Sequence, residues 1–235
     1  MKVVILAGGL GTRLSEETKL IPKPMVKIGN IPLLLHIMNI YRYFGFKEFI
    51  IASGYKSKII ENFFSKKSYG LNIKVINTGK YSLTGHRIYR LKKYLKNETF
   101  MLTYGDGVAN INIDKLINQH KKTKKIATIT IVRPPARWGS VKISNNNIKK
   151  FEEKNYKNEG WINGGFMIFE PEIFNHFNKK INCALEGDVF YSLIKKQSLS
   201  AFKHNDFWQC MDTLREKNEL NNMWKLNRAP WKIWK

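Results

Sequence analysis

The chain has 235 residues, 43% hydrophobic and 13% aromatic, a globular composition that excludes a disordered chain and allows one full core. The formal net charge of +23, from 41 Lys and Arg against 18 Asp and Glu, is the outlying value. The basic residues are scattered, with short runs at Lys66-Lys67, Lys92-Lys93, Lys121-Lys122 and Lys124-Lys125, so they read as a solvated surface that helps capture anionic substrates, not as a nucleic-acid face. Cys183 and Cys210 supply no disulfide framework, and the five histidines form no zinc-type pair. No stretch approaches the roughly 20 apolar residues of a membrane span. Met1-Lys2 leads straight into a strand without room for a signal peptide, so a cytoplasmic protein is expected.

In chain order, Val3 to Ala7 is apolar without alternation, the pattern of a strand buried on both faces of a parallel sheet. Leu33 to Phe44 has helical spacing, with Pro32 before it and Gly45 after it. A buried strand at Phe49 to Ala52, a short helix at Lys58 to Phe64 and a strand at Leu71 to Ile76 follow. A helix is predicted from about Ile88 to Leu95, then a buried strand at Thr99 to Thr103, a helix starting near Ile113 and a strand at Ile126 to Val132. This alternation predicts right-handed βαβ units in an open, mostly parallel sheet. The paired prolines of Arg133 to Gly139 interrupt it. Short strands at Val141 to Ile143 and Ile148 to Glu152 then form a hairpin, and Phe166 to Phe169 a further strand. Glu186 to Lys195 is amphipathic, Leu199 to His204 and Phe207 to Met211 read as a second hairpin, and Thr213 to Leu226 as a helix. The aromatic tail Ala229 to Trp234 is expected to dock on the body.

Three positions along this course suggest chemistry. After the first strand the chain turns through Gly8, Gly9 and Gly11, where glycine admits φ > 0 and close approach of a ligand. Backbone N–H groups in such a turn make a nest for phosphate oxygens, and Arg13 and Lys23 follow. The turn fails the dinucleotide fingerprint, because Leu14 stands where the third glycine belongs, and it lacks the Lys of a P-loop. A ligand-free strand-to-helix turn is the plain alternative. Asp106 lies between Gly105 and Gly107 at the end of the Thr99 to Thr103 strand, where open α/β sheets bind ligands and where a carboxylate suits Mg²⁺. Its alternative role is a turn residue capping the helix near Ile113. Asp212 precedes the last helix, a position that equally fits an N-cap.

Leu6 to Leu14 with Pro22-Lys23-Pro24-Met25 resembles the signature of sugar-phosphate nucleotidylyltransferases. Further blocks resemble their branch that joins CTP to glucose 1-phosphate: Thr84-Gly85-x-Arg87, Thr103 to Gly107, Trp161 to Gly165, Phe207-Trp208-Gln209 with Met211-Asp212-Thr213, and Ala229 to Lys232. The resemblance runs through almost the whole chain. It departs from the family pattern at the short Ser65 to Asn72 segment, at Asn155, His86 and Cys210.

The resemblance implies a Rossmann-like, mostly parallel mixed sheet flanked by helices, with a small β-rich sugar-binding lobe. One nucleotidyltransferase domain would span 1–235, with a nucleotide-binding half over about 1–133, a sugar-phosphate part over about 134–212 and a C-terminal helix and tail over 213–235. It implies a Mg²⁺-dependent attack of the sugar phosphate on CTP that releases pyrophosphate and gives CDP-glucose for deoxysugar and O-antigen synthesis. Arg13, Lys23 and Asp106 would be catalytic. Leu6, Ala7, Gly8, Gly9, Gly11, Thr12, Arg13, Lys23, Thr84, Arg87, Tyr104 and Gly105 would bind the nucleotide. Gly139, Glu153, Lys154, Asn163 and Gly164 would bind the sugar phosphate, and Asp106 and Asp212 the metal. A homo-oligomer without nucleic-acid or membrane partners is expected. A sister enzyme using another sugar phosphate, dTTP or UTP, and a non-enzymatic basic binding module, are the alternatives.

Overall fold

A computed structural model describes residues 1–134, 140–145, 147–152, 160–178 and 182–234. In chain order the elements are β1 (Val3–Ala7), α1 (Ser15–Thr18), β2 (Lys27–Ile28), β3 (Ile31–Pro32), α2 (Leu33–Tyr43), β4 (Glu48–Ser53), α3 (Ser57–Lys66) and β5 (Asn72–Asn77). Then come α4 (Thr84–Arg90), α5 (Lys92–Leu95), β6 (Phe100–Tyr104), β7 (Gly107–Ala109), α6 (Ile113–Thr123), β8 (Ala127–Val132), β9 (Ser140–Ser144) and β10 (Asn147–Glu152). β11 (Ile162–Phe169), α7 (Phe190–Lys195), β12 (Leu199–His204), β13 (Trp208–Cys210) and α8 (Leu214–Lys225) complete the described chain.

Seven strands form one sheet in the order β12-β8-β11-β6-β1-β4-β5. Neighbours run parallel except where β11 lies antiparallel to both β6 and β8, so the expected mixed, mostly parallel sheet is present. β1 is central, with β4 on one side and β6 on the other. The chain builds outward through β4 and β5, then returns across β1 to form β6. That reversal opens a crevice at the carboxyl ends of β1 and β6, the place where such sheets receive ligands.

The unbroken apolar run of β1 serves two layers. Val3, Ile5 and Ala7 face a core with α2, α6, α8 and Trp231, whereas Val4 and Leu6 face a second core with α4, α5 and α7. Full burial of a Val, Ile or Leu side chain stabilises a fold by about 1.5–3 kcal/mol. The tail docks as expected. Trp231 is fully buried and donates from Nε1 to His36 Nδ1 at 3.2 Å, while His36 Nε2 donates to the Ile28 carbonyl at 3.0 Å. Burial pushes the His36 pKa down to about 4, which keeps the ring neutral and its Nδ1 free to accept.

Several expectations need correction. The helix expected from about Ile88 starts at Thr84 and breaks at Leu91, so Arg87 belongs to a helix face and not to the loop before it. Leu199–His204 and the segment after it do not form a hairpin. β12 joins β8 in the main sheet, and β13 pairs antiparallel with β7, a three-residue strand beginning at Gly107. Apolar alternation marks strands but does not say which neighbour each will find. The amphipathic stretch from Glu186 begins in a π-helical turn, Leu185–Val189, interrupted at Gly187, and only α7 is regular helix. The β9–β10 hairpin is a separate two-stranded sheet, as expected.

Candidate active site

The crevice at the ends of β1 and β6 holds a cavity of about 350 Å³. Its floor is the glycine turn. Gly11 has φ +67° and a Cβ there would meet Thr18 Cγ2 at 2.8 Å, so glycine is required on both counts. Every residue expected at the nucleotide lines this cavity: Leu6, Ala7, Gly8, Gly9, Gly11, Thr12, Arg13, Lys23, Thr84, Arg87, Tyr104 and Gly105, together with Asp106 and Asp212. Pro24, Ser82 and Leu83 also line it and are not among the expected residues. Pro24 stands in the signature quoted above without a role of its own, and Ser82 and Leu83 belong to no motif.

At one end of the cavity four charges converge. Lys23 Nζ donates to Asp106 Oδ2 at 2.8 Å and to Asp212 Oδ1, and Arg13 Nη1 lies 2.7 Å from Asp212 Oδ2. Lys23 and Asp212 are buried, whereas Arg13 is largely exposed. Burial pulls the Lys23 pKa down, but the two carboxylates outweigh it and hold the ammonium above the ordinary lysine value. Two cations and two anions leave the group neutral, so it has no spare positive charge for a polyphosphate.

Both capping alternatives for the acids fail. Asn112 caps α6, its side chain accepting from the Lys115 N–H at 2.9 Å. Thr213 caps α8 in a capping box with Glu216. Asp212, one residue earlier, points instead at Lys23 and Arg13.

Whether a divalent ion suits this place depends on the donors. Two carboxylates from distant parts of the chain reach one point, the Lys23 Nζ, and both are oxygen ligands. Mg²⁺ is commonly held by one or two carboxylates with phosphate oxygens and water completing the shell. The residues fit such an ion. No group of three or more His, Cys, Asp or Glu that could hold a metal occurs among the described residues, so any ion here would need ligand oxygens from elsewhere.

Arg87 lines the cavity and is at the same time gripped by the backbone around it. Its guanidinium is buried, with Nη1 donating to Thr78 Oγ1 at 2.8 Å, Gly79 O at 2.7 Å and Ser53 O at 3.2 Å. Nη2 donates to Gly8 O at 2.7 Å and Lys80 O at 3.3 Å. A Cβ on Gly8 would come within 2.1 Å of Nη1, so the glycine makes room for the arginine as well as for a ligand. Burial, then the neighbouring charge of Arg90, lowers the Arg87 pKa from the usual arginine value.

Asn163 sits behind the cavity, its Nδ2 donating to the Tyr104 hydroxyl at 3.0 Å and its Oδ1 accepting from the Gly165 N–H at 2.9 Å. The Gly164 carbonyl accepts from Trp208 Nε1 at 2.8 Å. Gly139, Glu153 and Lys154 lie outside the described residues. Burial, followed by the charge of Glu186, raises the Tyr104 pKa and keeps its hydroxyl a donor.

Residues 2–216 match the family described as nucleotidyl transferase. The chain is 40% identical to the glucose-1-phosphate cytidylyltransferase of Salmonella typhi over the full length of both proteins. It is 35% identical to the D-glycero-alpha-D-manno-heptose 1-phosphate guanylyltransferase of Campylobacter jejuni, over 75% of this chain and 79% of that one. Among solved structures, UDP-glucose pyrophosphorylase complexed with UDP-glucose superposes with a TM-score of 0.75 at 18% identity, covering 97% of this chain and 99% of that one, a likeness of fold. With its cavity at the sheet's switch point and this agreement along its length, the chain belongs to the nucleotidyl transferase family, in the branch of the glucose-1-phosphate cytidylyltransferases.

Proposed function

We propose that this protein condenses CTP with α-D-glucose 1-phosphate to give CDP-glucose and pyrophosphate. The observation that carries the reading is full-length identity of 40% to a glucose-1-phosphate cytidylyltransferase. In the reaction a sugar-phosphate oxygen forms a bond to the α-phosphorus of CTP as the bond from that phosphorus to the β-phosphate's bridging oxygen breaks, in line, and pyrophosphate leaves with the electron pair. The nucleophile is already an anion at neutral pH, so no general base is needed. The protein has to position two polyanions and offset their charge.

The glycine turn, with Thr84, Tyr104 and Gly105, would hold the nucleotide, and Arg87 would fix the shape of that turn through Gly8. Once a divalent ion takes the two carboxylates, Lys23 would be left to neutralise charge at the reacting phosphates and Arg13 at the departing pyrophosphate. Members of the family generally use a divalent metal. Here Mg²⁺ is the ion proposed, with Asp106 and Asp212 holding it, and when bound it would offset the phosphate charge that the neutral Lys23 cluster cannot. Gly139, Glu153, Lys154, Asn163 and Gly164 would take the sugar phosphate. A homo-oligomer in the cytoplasm, where CTP and sugar phosphates are found, goes with this reading.

Pyrophosphate release is the test. CTP, glucose 1-phosphate and Mg²⁺ together should give pyrophosphate and CDP-glucose, with dTTP, UTP and GTP each slower by about tenfold or more. Release with none of these nucleotides and any common sugar 1-phosphate would overturn the reading; faster turnover with another nucleotide would replace CTP by it.

A further inference from the structure

Glu186 has no part in the roles above, yet it bridges two of the cavity's walls. It lies in the π-helical turn before α7, at an exposed position. One carboxylate oxygen, Oε2, accepts from Thr84 Oγ1 at 2.6 Å, and the other, Oε1, accepts from the Tyr104 hydroxyl. Thr84 and Tyr104 both line the cavity, and Glu186 does not.

The connections extend on both sides. Thr84 Oγ1 also accepts from the Leu185 N–H at 2.8 Å, and the Tyr104 hydroxyl accepts from Asn163 Nδ2 at 3.0 Å. The segment leading to Glu186 grips the loop before Thr84. Asn182 accepts from the Leu83 N–H at 2.8 Å and donates to the Tyr81 carbonyl at 3.0 Å, and the Cys183 carbonyl accepts from the His86 N–H at 3.1 Å. A side chain at Gly85 would press within 3.0 Å of that carbonyl.

Charge capture does not explain this residue. A carboxylate at the rim of a site for two polyanions repels both of them, so its presence has to rest on what it holds. A carboxylate is an acceptor at both oxygens and makes short, strong bonds to hydroxyl donors, which fixes the separation of the two groups it bridges. We infer that Glu186 is a positioning residue that ties the nucleotide wall at Thr84 to Tyr104 and, through Tyr104, to Asn163 on the sugar side. One contact thereby sets the geometry for both substrates. The inference rests on the proposed cytidylyltransferase reading.

The test uses the full chain with Glu186→Ala, Glu186→Gln, Tyr104→Phe and the double variant Glu186→Ala/Tyr104→Phe. Glu186→Ala should raise KM for CTP and for glucose 1-phosphate together by about tenfold while kcat changes by less than about threefold. Glu186→Gln, which keeps one acceptor oxygen, should recover part of the loss. The double variant should be within about twofold of Glu186→Ala, because both changes cut the same tie. A rise in KM for one substrate alone, additive losses in the double variant, or a lowered Tm with unchanged KM would each overturn the inference. If the unmodified chain releases no pyrophosphate, the proposed function fails, and hydrogen exchange of the ligand-free protein still reads the tie. Faster exchange at the Leu185 amide in Glu186→Ala would then support it, and unchanged exchange would refute it.

Discussion

Lys23 and Arg87 are both buried cations on the wall of one cavity, and they are held in opposite ways. Lys23 is bonded to two carboxylates, Asp106 and Asp212, which come from separate parts of the chain. Arg87 is bonded to four backbone carbonyls and one hydroxyl, which join the glycine turn to the ends of β4 and β5. Carboxylates have other uses, since a divalent ion or a proton can take them and leave the lysine to a phosphate. Carbonyls of a folded backbone have none, and a guanidinium spread over four of them and a hydroxyl is a brace. Charge and burial are similar in the two places, and the partners decide which cation is free to act on a ligand.

Substitutions can break this comparison at either end. The largest effect is expected for Asp106→Ala and Asp212→Ala, each losing turnover by at least about a hundredfold in a pyrophosphate-release assay, as befits groups aimed at developing charge. Lys23→Met should cost turnover by somewhat less, about thirtyfold to a hundredfold, and it leaves Asp106 without its Lys23 partner and Asp212 with Arg13 as its remaining cation. Arg87→Lys should lower kcat/KM by about tenfold and stability by about 1–3 kcal/mol in urea unfolding, because one ammonium cannot reach the acceptors that a planar fork spans. Thr213→Ala sharpens the contrast at Asp212. It should cost about 0.5–2 kcal/mol of stability and leave turnover at the parental value, since Thr213 is the cap and its neighbour is not.

The smallest effect concerns pH. The folded pKa of Lys23 lies above the unfolded value of 10.5, so the stabilisation from its ion pairs is fully present below 10.5 and is lost only as pH rises through the folded value. Unfolding midpoints should therefore show no pH dependence from Lys23 between about pH 7 and 9, and the difference between the parent and Lys23→Met should shrink only in stronger alkali.

Much of the fold and the site is legible in the residues because it is local. An apolar pentapeptide followed by three glycines marks β1 and its turn, and an aspartate between glycines marks the end of β6. The Thr-x-x-Glu spacing of Thr213 and Glu216 is a local capping-box signal too, one that the reading of Asp212 as a possible N-cap passed over. Other features are hidden for physical reasons. Whether an arginine in a glycine-bearing stretch faces a ligand or a ring of carbonyls depends on how far β4, β5 and the turn close around it. Pairing of β12 with β8, and of β13 with β7, joins segments distant in the chain. Glu186 meets Tyr104 across 82 residues, and no spacing rule reaches that far.

The most direct test is a crystal structure of the protein with CTP and Mg²⁺. The account predicts the triphosphate on the Gly8 to Gly11 turn, one ion bound by both Asp106 and Asp212, Lys23 on a phosphate oxygen, and Arg87 still donating to the Gly8 carbonyl. A triphosphate seated away from the glycine turn, or an ion that touches neither aspartate, would contradict it.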